Sequence, residues 1–151
     1  MPLTARPNLP VDLVPLSRIL TDEADLALVN PNAKFPFDPL EWHEKWLADL
    51  DDASFYLIDS AGKEVGFFAL RIGIGPEVRH LTYAFVAQEA RGGAGGILAA
   101  EVEAAARDLG ALTITLKCEL DNEPAMNAYT SAGYETLSER NGMATMRLDL
   151  D

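Results

Sequence analysis

Residues Arg91-Gly92-Gly93-Ala94-Gly95-Gly96 constrain this chain more than any other stretch. They follow an apolar segment, Leu81 to Val86, and open an Ala-rich helical segment that ends near Leu109. A strand that runs into a glycine-dense turn and leaves it as a helix suits a phosphate-bearing ligand. Small residues let the backbone approach, the turn N–H groups point at oxygen, and the helix dipole favours negative charge. A glycine run taken alone also reads as a flexible surface loop. What lies downstream decides between them.

The chain has 151 residues, 48% of them apolar, which predicts one domain over residues 1–151 with a full-sized core. No stretch is long and apolar enough to cross a membrane, and the first six residues lack a signal-peptide core. The single cysteine, Cys118, excludes an internal disulfide and any cysteine-based metal cluster, so no metal is expected. It falls in the alternation Leu112, Ile114, Leu116, Cys118, which predicts a buried thiol and a cytoplasmic address. The net charge of −12 argues against nucleic acid, which needs clustered Lys and Arg. An acidic surface can instead draw a cationic substrate such as an amine, or serve solubility alone.

Along the chain, residues 12–17 read as a first strand and Thr21 as the cap of a helix to about Val29. Phe35-Pro36-Phe37 forms an aromatic loop. Asp38-Pro39-Leu40-Glu41 then starts a helix whose apolar face carries His43, Trp46, Leu47 and Leu50. Strands follow at Phe55–Ile58, Glu64–Ile74 and Val78–Val86. The helix after the glycines puts Leu98, Val102, Ala105 and Leu109 on one side, with Glu103 and Arg107 paired outside. Leu112–Glu119 alternates as a strand, and Glu123–Ala132 reads as a helix stopped by Gly133. A hairpin around Asn141-Gly142 joins Tyr134–Ser138 to Met143–Leu150. The order β-α-α-β-β-β-α-β-α-β-β predicts an α/β (α+β) fold: a mixed sheet of six to seven strands with helices on both faces.

Three phosphate-binding patterns compete for the turn. A P-loop ends in Gly-Lys-Ser/Thr, and Gly96-Ile97 supplies neither residue. A dinucleotide fingerprint counted from Gly93 puts Leu98 at its third glycine, although Glu119 could serve as the ribose-binding acid. An Arg/Gln-x-x-Gly-x-Gly/Ala turn around the pyrophosphate of coenzyme A fits Arg91 and Gly96. With Val86 to Leu98 on one side and Asn122-Glu123-Pro124-Ala125-Met126-Asn127-Ala128-Tyr129-Thr130-Ser131-Ala132-Gly133-Tyr134 on the other, the chain resembles the GNAT superfamily of acyl-CoA-dependent N-acyltransferases. The two motifs cover residues 78–135. Ala94 departs from the glycine usual at the fourth place of the turn.

The resemblance implies a cleft for acetyl-CoA where two neighbouring parallel strands splay apart. It assigns the main chain of Phe85 and Val86 to the pantetheine amides. Backbone N–H groups of Arg91, Gly92, Gly93, Ala94, Gly95 and Gly96 hold the pyrophosphate, and Asn122, also readable as a plain helix cap, bonds the pantetheine arm. Tyr129 becomes the general acid for the leaving thiolate, whose conjugate acid has a pKa of about 8.5. An alkyl ammonium must first lose its proton, at a cost of roughly 4 kcal/mol near neutral pH. His80, eleven places before Arg91, is the first candidate base and Glu77 the second. For His43, packing beside Trp46 is the preferred reading.

The acceptor side is less constrained. Phe35, Phe37, Asp38 and Trp42 either wall an amine site or plug the core while Asp38 caps its helix, and the second reading is preferred. The resemblance therefore implies transfer of an acetyl group from acetyl-CoA to a primary amine of a small molecule or peptide, by direct attack in a ternary complex. Homodimers are common among such proteins, though no dimer face is legible. A non-catalytic acyl-CoA-binding or regulatory module and an NAD-dependent oxidoreductase are the rival readings.

Overall fold

The computed structural model describes residues 3–47, 49, 52–75, 77–87, 90 and 94–150, the side chains of residues 94 and 95 excepted. The elements are β1 (Thr4–Pro7), α1 (Val14–Ile19), α2 (Glu23–Val29), α3 (Pro39–Lys45), β2 (Ala53–Ile58), β3 (Glu64–Ile72), β4 (Val78–Val86), α4 (Ala94–Asp108), β5 (Thr113–Glu119), α5 (Glu123–Ser131), β6 (Glu135–Arg140) and β7 (Met143–Asp149). The strands are hydrogen-bonded in the order β1-β2-β3-β4-β5-β7-β6. The sheet is mixed: β4 and β5 are parallel, whereas β1–β2, β5–β7 and β6–β7 are antiparallel. Packing divides the chain into two compact units, Met1–Ala69 with Tyr83–Ala90, and Leu70–Thr82 with Arg91–Asp151.

In the first unit the start of the chain differs from the sequence expectation. Residues 12–17 are not a strand. Pro15 sits in the first turn of α1, where its missing N–H costs nothing, and Leu16 and Leu20 are buried one turn apart. The first strand is instead Thr4–Pro7, antiparallel to β2 at the end of the strand order, a position that tolerates Pro7. Tyr56 ties the two segments together. Its hydroxyl donates to the Asp12 carbonyl at 2.5 Å and accepts from the Leu16 N–H at 3.3 Å. Asp22, not Thr21, caps α2, accepting from the Asp25 N–H at 3.1 Å.

The apolar face of α3 is also rotated from expectation. Trp42 is fully buried and His43 exposed, because an indole gains far more from leaving water than an imidazole. Trp42 meets Phe37, Trp46 and Tyr83 at ring centroids 5.3, 5.3 and 5.2 Å away. Leu47 is buried as expected, while Leu50 lies outside the described residues. At Gly66 on β3 a Cβ would stand 2.8 Å from the Phe85 carbonyl oxygen and 2.9 Å from Leu57 Cδ1. Only glycine lets the end of β4 lie this close to β3.

In the second unit the sequence expectations hold more closely. Leu98, Val102 and Ala105 of α4 are buried and Arg107 pairs with Glu103 at 3.1 Å, but α4 ends at Asp108 and leaves Leu109 exposed. Gly110 then turns the chain at φ +81°. Strand β5 buries Ile114, Leu116 and Cys118 and pairs with β7 over seven residues. Gly133 stops α5 at φ +102°, and Asn141 and Gly142 at φ +55° and +77° make the two-residue hairpin turn.

Candidate active site

The parallel register of β4 and β5 is short. It joins Val78, Arg79 and His80 to Thr113, Ile114 and Thr115. The Glu77 carbonyl sets its start, accepting from the Leu112 and Thr113 N–H groups at 2.7 and 3.1 Å. Among the described residues no pair follows His80↔Thr115, although β4 runs on to Val86 and β5 to Glu119. From Leu116 to Glu119 the β4 side of β5 therefore has no strand partner among the described residues, while its other side stays paired to β7. Unpaired strand backbone of this kind can bond an extended amide-bearing ligand in place of a neighbouring strand.

His80 is the last β4 residue in that register. Its Nδ1 lies 2.9 Å from the Thr115 hydroxyl, and the ring is half-buried. Burial first, then the positive charges of Lys117 and Arg71, hold the imidazole below its ordinary range. It is thus neutral at neutral pH, the form a base requires. Glu77 differs: it is exposed in the turn before β4, and its carboxylate makes no hydrogen bond or ion pair among the described residues.

Tyr129 is buried on α5, edge-on to Tyr134 with ring centroids 5.4 Å apart. Its hydroxyl has no hydrogen-bond partner among the described residues. Burial, with the Cys118 thiol adding to it, pushes its pKa well above the ordinary phenol value, so the proton stays on. Cys118 is itself buried, and its thiol is pushed up by burial and by Glu119, which makes it a poor nucleophile.

Asn122 caps α5. Its side-chain oxygen accepts from the Ala125 N–H at 3.4 Å, and its amide nitrogen keeps two donors with no described partner. Of the glycine turn, Arg91, Gly92 and Gly93 lie outside the described residues. Ala94, Gly95 and Gly96 form the first turn of α4, and a Cβ at Gly96 would meet open space. Phe85 is buried and Val86 half-buried at the end of β4.

In the loop before α3, Asp38 caps the helix by accepting from the Leu40 N–H at 3.1 Å, and the Phe37 ring packs tilted against Trp42. Phe35 is exposed rather than a core plug. Two features have no local sequence signal. Glu41 is buried, its Oε1 accepting from the Lys34 N–H at 3.0 Å. Tyr83 holds φ +55° within β4, a left-handed conformation that strains a bulky residue by about 1–3 kcal/mol. The buried glutamate follows a capping acid and a proline, where an acid at the third helical place usually faces solvent.

The fold resembles that of several solved acetyltransferases. Spermidine N-acetyltransferase from Vibrio cholerae, solved with CoA and spermine, aligns at TM-score 0.77 and 18% identity, over 97% of this chain and 95% of that one. The GNAT domain of S. lividans PAT aligns at 0.77 and 17%, over 97% and 89%. Campylobacter jejuni N-acetyltransferase PseH aligns at 0.71 and 14%, over 99% of each. No curated protein sequence matches the chain. The sequence model of the acetyltransferase (GNAT) family matches residues 20–134, so this chain belongs to that family of acetyl-CoA-dependent acyltransferases.

Proposed function

We propose that this single-domain N-acetyltransferase moves the acetyl group of acetyl-CoA to a primary amine of a small molecule or peptide, by direct attack in a ternary complex. The early end of the β4–β5 register carries the reading, because beyond His80 and Thr115 the two strands no longer pair with each other, and the pantetheine amides would bond main chain there, that of Phe85 and Val86 on β4 first. The free amide of Asn122 supports a second hydrogen bond to that arm. Backbone N–H groups of the turn at residues 91–96 would bind the pyrophosphate.

His80 takes a proton from the ammonium, directly or through water. The amine nitrogen then forms a C–N bond to the thioester carbonyl carbon as the C–S bond breaks. Sulfur leaves as thiolate and takes the phenolic proton of Tyr129, and the new amide nitrogen gives its second proton, through water, to the phenolate and so restores Tyr129. Burial that weakens the phenol as an acid also raises the affinity of a thiolate in the same surroundings, so the transfer stays matched. The inert, buried Cys118 supports direct attack over an acyl-cysteine route. A lone buried thiol also supports a cytoplasmic setting.

Calorimetry with acetyl-CoA and a free-thiol assay across an amine panel test the proposal. Saturable heat and acceptor-dependent thiol release are expected, with Cys118→Ala retaining turnover. Absence of heat with acetyl-CoA overturns it. Heat without release from any amine points to a binding module.

A further inference from the structure

The chain carries 24 acidic side chains against 12 basic ones, so a basic side chain with no carboxylate partner stands out. Lys117 on β5 and Arg140 at the end of β6 are two such. Among the described residues neither makes an ion pair or a side-chain hydrogen bond. Both line one pocket of about 350 Å³, together with Ser138, Asn141, Met143 and Thr145.

Strand register explains the cluster. Lys117 pairs with Thr145, Thr145 with Ser138, and Met143 with Arg140. Paired residues of adjacent strands present their side chains on one face. Thr115 stands on that face two residues before Lys117, about 6.6 Å along the strand. Its hydroxyl is the one bonded to His80. The pocket therefore begins one side chain away from the proposed base.

Three acids share the face: Asp149, Glu119 and Glu135, the last paired with Arg147 in the register. Asp149 is taken by Arg147 at 2.9 Å and by the Thr113 hydroxyl at 3.1 Å. Glu119 pairs with Met143 in the register and makes no ion pair among the described residues. None of the three lines the pocket. Two cations, two hydroxyls and a carboxamide there offer donors to an oxyanion and repel a polycation.

Building on the acetyltransferase reading, we propose that Lys117 and Arg140 hold an oxyanion of the acceptor, which is thus an amine that also carries a carboxylate, phosphonate or phosphate. The chain's net negative charge predicts the opposite preference, a plain cation. Local geometry reverses it.

Matched pairs test this: ornithine against putrescine for the carboxylate, and 2-aminoethylphosphonate against ethylamine for the phosphonate. The oxyanion-bearing member of at least one pair should show at least about tenfold higher kcat/KM. Lys117→Gln and Arg140→Gln should each raise its KM about tenfold while acetyl-CoA binding stays unchanged, and Lys117→Arg should retain affinity. Equal or better turnover of putrescine and ethylamine, or unchanged KM in both variants, overturns the proposal while leaving the acetyltransferase reading intact. If no panel member reacts, an amide-shift titration with inorganic phosphate decides. Shifts centred on Lys117 and Arg140 that vanish in Lys117→Gln support the site, and no shift overturns it. Loss of acetyl-CoA binding by the parent protein sinks the underlying reading instead.

Discussion

The Nδ1 of His80 lies 2.9 Å from the Oγ1 of Thr115, its partner in the last pair of the parallel β4–β5 register. One hydrogen bond thus pins the imidazole where the strands stop pairing and leaves Nε2 with no described partner. The candidate base is held by the same feature that frees β5 backbone for a ligand. Four outcomes follow from this arrangement and its surroundings.

Replacing Tyr129 by Phe removes a hydroxyl that has no described partner and keeps the ring beside Tyr134. Thermal stability should change little. The rate should not survive: loss of a general acid lowers kcat about 100-fold or more, with acetyl-CoA affinity nearly intact. Steady-state kinetics with calorimetric binding check this, and a kcat within threefold of the parent excludes the acid role.

The pH profile of kcat/KM should rise along a limb whose midpoint lies below 6.5, since burial, Lys117 and Arg71 all disfavour the protonated His80. Lys117→Gln removes one of those charges, so the midpoint should move up. His80→Gln should abolish the limb. Stability carries the same signature: the folded state stays neutral where the unfolded chain takes up a proton, so stability falls as pH drops through about 6.5. Urea midpoints between pH 5 and 8 should show less of this fall in His80→Gln.

Asn122 has two separable functions. Asn122→Ala loses the cap of α5, costing about 1 kcal/mol, and weakens acetyl-CoA binding. Asn122→Asp keeps the capping oxygen but replaces the amide donors with a carboxylate, so stability should hold while affinity falls. Chemical denaturation and titration calorimetry on both variants distinguish the functions. Equal affinity for all three proteins shows that the residue only caps.

Gly66→Ala should destabilise the protein by about 1–3 kcal/mol, because the new methyl meets the Phe85 carbonyl and Leu57 inside van der Waals distance. Backbone cannot yield there as a flexible side chain would. Equilibrium unfolding measures the change, and a neutral result would mean that β3 and β4 separate freely.

Legibility in the sequence followed how local each signal was. Strand Val78–Val86, the caps at Asp38 and Asn122, and the Asn141-Gly142 turn were readable because each depends on neighbouring residues. Residues 12–17 misled because their short apolar alternation fits a strand as well as the first turns of a helix. The face of α3 misled by one residue, since several apolar faces could be drawn through two tryptophans and a histidine. Nothing local marks Tyr83 as left-handed or Glu41 as buried, because both depend on what packs against them.

By itself, the sequence determined the family, the order of most elements and the residue types available for acyl transfer. Periodicity, caps and two spaced motifs are short-range properties that a chain carries before it folds. Only tertiary structure decided where the parallel register stops, which hydroxyl holds His80, and that Lys117 and Arg140, 23 positions apart, share one pocket. Strand register sets those relationships, and register is a balance of contacts among distant segments that no local pattern encodes.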